Sequence, residues 1–269
     1  MTFSERVQAA AKKNNSLLCV GLDPDSPKLP KSVADQTDAY FQFCKAIVDA
    51  TADLACAFKP NSAFFEGQGA DGVAHLKQLC DYIKQAHPDI PIILDSKRAD
   101  IGNTNNGYVA QSFDYLGADA VTVHPYLGQE ALEPFLSQAE KGIIILCRTS
   151  NPGAGEFQDL LVDGKPVYQH VAERVATTWN TNKNCLLVVG ATYPDEIAEV
   201  RNIVGPDMFL LIPGIGAQGG DLEKTVKAGG ENVLINSSRA ILYASSGDDY
   251  ADAARTAALE FKDEINKYR

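Results

Sequence analysis

Two carboxylates and two cations stand within six residues at the end of an apolar run. Residues 92–94, Ile-Ile-Leu, lead directly into a segment that contains Asp95, Lys97, Arg98 and Asp100. When such groups pack together, each carboxylate favours a protonated lysine and each lysine favours an ionised carboxylate. An ammonium group held in this way is available near neutral pH as a general acid. The cluster therefore indicates proton-transfer chemistry, and an ion-pair network with a purely structural role is the alternative.

Two more charged residues follow earlier apolar runs in the same manner, namely Asp23 and Lys59. If the chain stays extended, Asp95 and Lys97 point to the same side, because side chains two residues apart share a face of a strand. Provided that the preceding runs are neighbouring strands, these four residues form an array in which carboxylates and ammonium groups alternate.

Eight short runs of apolar residues recur along the chain. They cover residues 17–22, 55–60, 90–95, 118–123, 142–147, 185–190, 208–213 and 232–236. Each run is nearly continuous in apolar residues, which is typical of a strand buried on both faces of a parallel sheet. Segments of helical length and period lie between or after them, as in residues 38–51, 72–86, 167–180, 222–230 and 249–268. Eight strands that alternate with helices predict a closed parallel sheet, the (β/α)8 TIM barrel.

An open doubly wound sheet is the alternative arrangement of alternating strands and helices. Such a sheet would be expected to carry a GxGxxG sequence after its first strand, whereas residues 21–28 read GLDPDSPK. We find no linker, low-complexity tract or sequence repeat, and we therefore expect residues 1–269 to form a single barrel domain. In such barrels the chemistry lies at the C-terminal ends of the strands, which is where the charged residues fall.

Composition limits the class of protein. A net charge of −11 disfavours a general nucleic-acid binder, and an anionic small ligand would need a locally positive pocket. The six cysteines form no CxxC pair and stand in apolar or helical surroundings, which favours reduced thiols in a cytoplasmic protein over disulfides or a zinc site. No signal peptide and no apolar stretch of the roughly 18–20 residues that span a membrane is evident.

The last two strand ends resemble a phosphate site. Residues 213–221, PGIGAQGGD, form a glycine-rich segment, and residues 236–241, NSSRAI, open a helix. Glycines let backbone N–H groups approach an anion, and Arg239 could bind phosphate with two hydrogen bonds while Gln218 adds an amide donor. Two ordinary turns with a surface arginine are the alternative, but the position of both segments in an eight-strand pattern favours phosphate binding.

The charged cluster resembles the DxKxxD-I-x-x-T signature of the orotidine 5′-phosphate decarboxylase family. Residues 95–104 read DSKRADIGNT, and the segments CVGLDPD, AFKPNSAFFE, CRTSNPGAGEF, IPGIGAQGGD and NSSRAI occur in the order typical of that family. Arg98 directly follows the signature lysine, Lys97, and in this respect the chain resembles the bacterial subgroup of the family. Related barrel enzymes that act on keto-hexose phosphates share DxKxxD, but they carry a metal-binding acid where this chain has Lys59.

The resemblance implies a charged tetrad of Lys59, Asp95, Lys97 and Asp100. Loss of CO2 from C6 of the pyrimidine would leave a carbanion, which Lys97 would stabilise and then protonate. Asp95 would lie near the carboxylate of the substrate, and the repulsion between the two carboxylates would destabilise the bound substrate. Asp100 would reach into the active site of the partner subunit in a homodimer with shared sites.

The resemblance also implies which residues bind the substrate. They are Asp23 and Lys59 at the ribose hydroxyls, Ser150 at the pyrimidine edge, Gln218 and Arg239 at the 5′-phosphate, and Ile101 and Thr104 beside Asp100. Orotidine monophosphate would become uridine monophosphate and CO2 in de novo pyrimidine biosynthesis, without metal or other cofactor. Two rival functions are a metal-dependent sugar-phosphate decarboxylase or aldolase, and a sensor that binds a phosphate ligand without turnover.

Overall fold

Eight parallel strands form the central sheet in the computed structural model, which describes residues 1–215 and 221–269. The strands are β1 (Leu18–Leu22), β2 (Ala57–Pro60), β3 (Ile93–Arg98), β4 (Ala120–Val123), β5 (Gly142–Arg148), β8 (Cys185–Val189), β9 (Leu210–Pro213) and β10 (Val233–Ser237). Two further strands, β6 (Leu161–Val162) and β7 (Lys165–Pro166), pair as an antiparallel hairpin outside this sheet. Each of the eight apolar runs overlaps one strand of the central sheet, and β3 extends furthest beyond its run, as far as Arg98.

The central sheet closes on itself. Its strand order is β2-β1-β10-β9-β8-β5-β4-β3, so that β2 and β3 are the two end strands. Parallel bridges join them at Phe58 with Ile92 and at Asn61 with Asp95. The backbone N–H of Phe58 also donates to the carbonyl oxygen of Pro91 at 3.0 Å. The predicted (β/α)8 barrel is therefore confirmed, and the open doubly wound sheet is excluded.

Helices surround the barrel. They are α1 (Phe3–Asn14), α2 (Lys31–Ala34), α3 (Ala39–Thr51), α4 (Ser62–Glu66), α5 (Gly69–Ala86), α6 (Gly102–Val109), α7 (Gly128–Leu136), α8 (Gly155–Gln158), α9 (Val167–Arg174), α10 (Pro194–Val204), α11 (Leu222–Gly229), α12 (Arg239–Leu242) and α13 (Tyr250–Lys267). The helix predicted over residues 167–180 is α9 followed by a π-helical turn, Val175–Trp179. Among the helices in the described residues, none is long and apolar enough to cross a membrane.

Helix α1 covers the end of the barrel at which the strands begin. The helix starts with a capping box, in which Thr2 Oγ1 accepts from the backbone N–H of Glu5 and the Glu5 carboxylate accepts from that of Thr2. Phe3 is 2% exposed and packs so closely on Gly142, the first residue of β5, that a Cβ atom there would lie 2.4 Å from the Phe3 ring. This packing leaves the opposite end of the barrel for a site.

The barrel core is largely apolar. Every residue of β1, β8 and β10 is buried, as the nearly continuous apolar runs predicted. All six cysteines are buried and unpaired, in agreement with the sequence analysis. Several of the polar residues that are nevertheless buried lie near the C-terminal ends of the strands, among them Lys59, Asp95, Thr122 and Asn236.

Candidate active site

A buried carboxylate lies between two lysines at the C-terminal end of the barrel. Asp95 Oδ2 accepts from Lys59 Nζ at 2.8 Å, and Asp95 Oδ1 accepts from Lys97 Nζ at 2.6 Å. The side chains of Lys59 and Asp95 are 4% and 10% exposed, whereas that of Lys97 is 49% exposed. Lys59 is therefore enclosed, and Lys97 is the ammonium group that an incoming molecule can reach.

Thr122 on β4 holds this arrangement in place. Its hydroxyl donates to Asp95 Oδ1 at 2.9 Å and accepts from the backbone N–H groups of Ser96 and Lys97, each at 3.0 Å. Thr122 was not among the residues predicted from the sequence. The available signal was a hydroxyl residue inside the otherwise apolar end of the run at residues 118–123.

The prediction that Asp95 and Lys97 point to the same side was conditional on an extended chain, and that condition is not met at Lys97. Lys97 adopts a φ of +49°, in the left-handed region that residues other than glycine rarely occupy. The pairing register between β3 and β4 also shifts between Leu94 and Arg98. The side chains of Asp95 and Lys97 meet despite this turn, because the long lysine chain folds back onto the carboxylate.

The charges of the cluster stabilise one another. Burial by itself would raise the pKa of Asp95, but Lys59 and Lys97 outweigh it and hold the pKa well below the ordinary value. Burial would likewise lower the pKa of Lys59, and the nearby carboxylates of Asp95 and Asp23 instead raise it above the ordinary value. At neutral pH the enclosed pair is thus an ionised carboxylate and a protonated lysine.

A cleft with two lobes surrounds the cluster. One lobe, of about 170 Å³, extends to Asp23, Asn236 and Arg239, and we call it the Arg239 lobe. The other lobe, of about 390 Å³, extends to Thr122, Thr149, Ser150 and Gln158, and we call it the Ser150 lobe. Lys59, Asp95 and Pro213 line both lobes, so the charged cluster lies where they meet. This shape suits an elongated ligand whose reactive part lies beside the lysines.

The Arg239 lobe combines a cation with free hydrogen-bond acceptors. Arg239 is exposed at the start of α12, directly after β10. Asp23 Oδ1 and Asn236 Oδ1 are buried and have no hydrogen-bond partner within residues 1–215 and 221–269. Asn236 was not singled out from the sequence, although a polar residue at the end of a buried run was the signal. Gln218, predicted to bind phosphate, lies outside the described residues.

A glycine allows β1 and β10 to approach each other in this lobe. A Cβ atom on Gly21 would lie 1.8 Å from Ser238 Oγ and 3.3 Å from Asn236 Oδ1. Any larger residue at this position would have to displace the strand end that leads into Arg239. Gly21 lies within β1 and has an ordinary strand conformation. A glycine is therefore needed here because there is no room for a side chain, and not because of its backbone conformation.

The Ser150 lobe is bordered by the short segment around Gln158, which follows β5. The backbone N–H of Thr149 donates to Gln158 Oε1 at 2.8 Å, and Gln158 Nε2 donates to Thr149 Oγ1 at 2.9 Å. Arg148, 2% exposed, contacts Gln158 and Asp159 and lies 4.3 Å from the ring centroid of Tyr193. These contacts hold the loop that carries Ser150.

Asp100 does not join the lysines within one chain. Its carboxylate accepts from the backbone N–H of Ile101 at 2.6 Å, and the described residues show no ion pair to it. The buried Asn105 fixes this turn, because it accepts from the N–H of Asp100 and donates to the carbonyl oxygens of Asp100 and Ala131. The adjoining Ile101 and Thr104 are exposed, Ile101 by 62%. The chain itself therefore brings together three members of the expected tetrad.

Arg98, for which the sequence suggested no chemical role, points away from the cluster. Its guanidinium forms an ion pair with Glu66, at the end of α4. It also lies 5.2 Å from the ring centroid of Tyr108 on α6. Arg98 therefore ties two helices to the end of β3, which is a structural contact.

Comparison with known proteins identifies the family. A sequence model described as "Orotidine 5'-phosphate decarboxylase / HUMPS family" matches residues 16–256. The chain belongs to this family. The orotidine 5′-phosphate decarboxylase of Ralstonia pickettii (strain 12J) is 57% identical over all of both chains. The family membership that the sequence predicted is thereby confirmed.

Solved structures of the orotidine 5′-phosphate decarboxylase family share the fold. The OMP decarboxylase of Leishmania donovani superposes with a TM-score of 0.87 at 39% identity, covering 100% of this chain and 99% of that one. The UMP synthase of the same organism superposes with a TM-score of 0.89 at 40% identity. This chain covers 56% of that longer protein, so the similarity concerns one part of it.

Replacing Asp95 with asparagine tests the charge arrangement through the pH dependence of stability. Because the pKa of Asp95 is lower in the folded than in the unfolded state, its charge stabilises the fold fully above the unfolded pKa of about 4, and progressively less as the pH falls below it. We expect Asp95→Asn to be less stable than the wild type near neutral pH, and the difference to shrink below about pH 4. Urea unfolding at a series of pH values measures it.

The exposed ion pair of Lys77 and Asp81 provides the control for this measurement. The Asp81 side chain is 57% exposed, and we expect Asp81→Asn to change the free energy of unfolding by less than about 1 kcal/mol. A difference between wild type and Asp95→Asn that stays constant from acid to neutral pH would contradict the charge arrangement described above.

Proposed function

We propose that the protein is an orotidine 5′-phosphate decarboxylase, which converts orotidine monophosphate to uridine monophosphate and CO2 in de novo pyrimidine biosynthesis. The observation that carries the proposal is the Lys59–Asp95–Lys97 cluster at the junction of the two lobes of the cleft. The names of relatives that match over the full chain support it. Because the six thiols are buried and unpaired, we place the reaction in the cytoplasm.

In the proposed reaction Lys97 stabilises and protonates the C6 carbanion. Loss of CO2 from C6 leaves charge without an adjacent carbonyl to delocalise it, so a preorganised cation nearby is the main source of stabilisation available. Lys97 Nζ is held 2.6 Å from Asp95 and is the more exposed lysine of the cluster. Asp95, kept ionised by Lys59, would repel the carboxylate of the substrate and favour its departure.

The two lobes divide the substrate between them. Arg239 would bind the 5′-phosphate with Gln218, and Asp23 with Lys59 would accept and donate hydrogen bonds at the ribose hydroxyls. Ser150 would bind the pyrimidine edge in the other lobe. The reacting carbon then lies near the shared residues, at a distance from the phosphate. Binding of that remote group contributes energy that orders the site around C6.

Asp100, Ile101 and Thr104 would complete the site of a partner subunit in a homodimer. They lie on a turn that Asn105 fixes from within, and they present their side chains outward rather than into the cleft of their own chain. An exposed Ile101 next to an acidic residue suits a subunit boundary better than free solvent. In this arrangement each active site uses Lys97 of its own chain and Asp100 of its neighbour.

The proposed reaction uses no metal and no other cofactor. A metal site would need several oxygen, nitrogen or sulfur ligands around one point. In the described part of the chain, no three His, Cys, Asp or Glu side chains form such a group. Lys59 stands at the end of β2, where the metal-dependent sugar-phosphate enzymes considered above carry an acid.

The direct test is turnover of orotidine monophosphate by the purified protein. We expect the ultraviolet absorbance of orotidine monophosphate to decay to that of uridine monophosphate, at the same rate with and without a chelator. Unchanged absorbance would refute the proposed activity. Activity that a chelator removes would support the metal-dependent alternative, and tight binding of uridine monophosphate without turnover would support a sensor.

Replacing Lys97 with alanine tests the proposed proton donor. Since general acid catalysis contributes roughly 100-fold or more, we expect kcat to fall by at least about 100-fold while uridine monophosphate still binds. Steady-state kinetics and calorimetric titration measure the two quantities. Lys13→Ala is the control, because Lys13 lies in an exposed ion pair with Asp89 near the opposite end of the barrel. Turnover that survives Lys97→Ala would show that another group supplies the proton.

Mixing two inactive variants tests the shared site. In a dimer of Lys97→Ala with Asp100→Ala, one site carries neither lesion, so random mixing should restore about a quarter of wild-type activity. Mixing Lys97→Ala with Asp95→Asn should restore nothing, since both residues serve their own chain. Exchange of subunits is verified with a size-tagged variant. If subunits exchange and activity does not return, Asp100 does not act across the interface.

A further inference from the structure

We infer that Tyr243 is a positioning residue that ties the segment carrying Asp23 to the helix that begins with Arg239. The Tyr243 hydroxyl donates to the carbonyl oxygen of Asp23 at 2.9 Å. The same hydroxyl accepts from the backbone N–H of Asp25 at 2.8 Å. One phenol group therefore fixes the backbone on both sides of Pro24, directly after β1.

The other end of this link is the Arg239 helix. Tyr243 is the residue after α12, and its backbone N–H donates to the carbonyl oxygen of Arg239 at 3.2 Å. The ring is stacked on the fully buried Phe43, with a centroid distance of 5.9 Å and an interplanar angle of 13°. The phenol is thus held on a rigid platform, and the hydroxyl joins segments about 220 residues apart in the sequence.

The Asp23 carboxylate depends on such a backbone contact for its position. Its Oδ1 atom is buried without a hydrogen-bond partner in residues 1–215 and 221–269, and no ion pair holds the side chain there. A side chain with so few contacts of its own points where its backbone directs it. The Tyr243 hydroxyl is the side-chain group that bonds to the backbone at Asp23 and Asp25, so it sets the direction of the carboxylate.

This inference rests on the proposed function, in which Asp23 binds the ribose hydroxyls and Arg239 binds the phosphate. Tyr243 then gives the Arg239 lobe a fixed spacing between its ribose and phosphate contacts. Tyr243→Phe keeps the stacked ring and removes the hydroxyl alone. Asp23 would lose its alignment toward the ribose, whereas the packing on Phe43 would remain.

The experiment measures how strongly the protein prefers a ribose over a dideoxyribose. The affinities for uridine monophosphate and 2′,3′-dideoxyuridine monophosphate are determined by calorimetry for the wild type, Tyr243→Phe, Asp23→Ala and the double variant. We expect Tyr243→Phe to lower the preference by roughly tenfold, since a hydrogen bond to a charged group is worth this much. In the Asp23→Ala background, the same change should have little further effect on the preference.

Tyr250→Phe is the matched control. Tyr250 stacks on the same Phe43 ring at 5.3 Å, and its hydroxyl forms no hydrogen bond within the described residues. We expect this variant to keep both the wild-type preference and wild-type turnover of orotidine monophosphate. A general loosening of the packing would instead affect both tyrosine variants and would lower their melting temperatures together.

Two results overturn the inference alone. In one, the wild type decarboxylates orotidine monophosphate and Tyr243→Phe keeps the full preference for ribose. In the other, Tyr243→Phe lowers the preference by the same factor with and without the Asp23 carboxylate. A wild type without turnover overturns the proposed function, and the inference with it, so the two failures are distinguished by the first assay.

Discussion

A carboxylate buried between two lysines is the interaction on which the rest of the site depends. An unpaired carboxylate at the position of Asp95 would be several kcal/mol too costly to bury, and Lys59 and Lys97 offset that cost. Lys59 and Asp95 lie on the two end strands of the sheet, so they meet only because the barrel closes between β2 and β3. Closure and charge pairing therefore support each other, and both fix the place where the lobes of the cleft join.

The remaining contacts lie at increasing distance from the pair formed by Lys59 and Asp95. Thr122 and the left-handed turn at Lys97 bring the more exposed ammonium back to Asp95. Farther out, Gln158 holds the Ser150 loop, and Tyr243 links the Asp23 segment to the Arg239 helix. Thr122, Gln158 and Tyr243 each make at least one hydrogen bond to the backbone of the segment that they hold. The cleft is thus shaped by polar contacts to main chain and side chains above an apolar barrel, whose other end is covered by α1.

Much of this architecture could be predicted from the sequence. A strand buried on both faces must be apolar along its length, so the eight runs indicated a parallel barrel, and the charged residues just beyond them indicated its catalytic end. The contribution of Thr122 could not be foreseen, because one hydroxyl in an apolar strand has many possible partners. The same is true of Tyr243, whose partner segment lies about 220 residues away in the sequence. An extended chain at Lys97, which was the condition for the predicted facing of Asp95 and Lys97, is not present, since the turn depends on a hydrogen bond to Thr122 of another strand.

The sequence by itself determined which eight runs become strands of the central sheet, and it placed Asp95 and Lys97 at the C-terminal end of one of them. It did so because burial and secondary structure leave local patterns of residue type. Only the tertiary structure decided that Lys59 meets Asp95, that Asp100 turns away from them, and that the cleft divides into two lobes. Those outcomes depend on which distant segments become neighbours when the sheet closes, and no local pattern records the partner of a buried polar group.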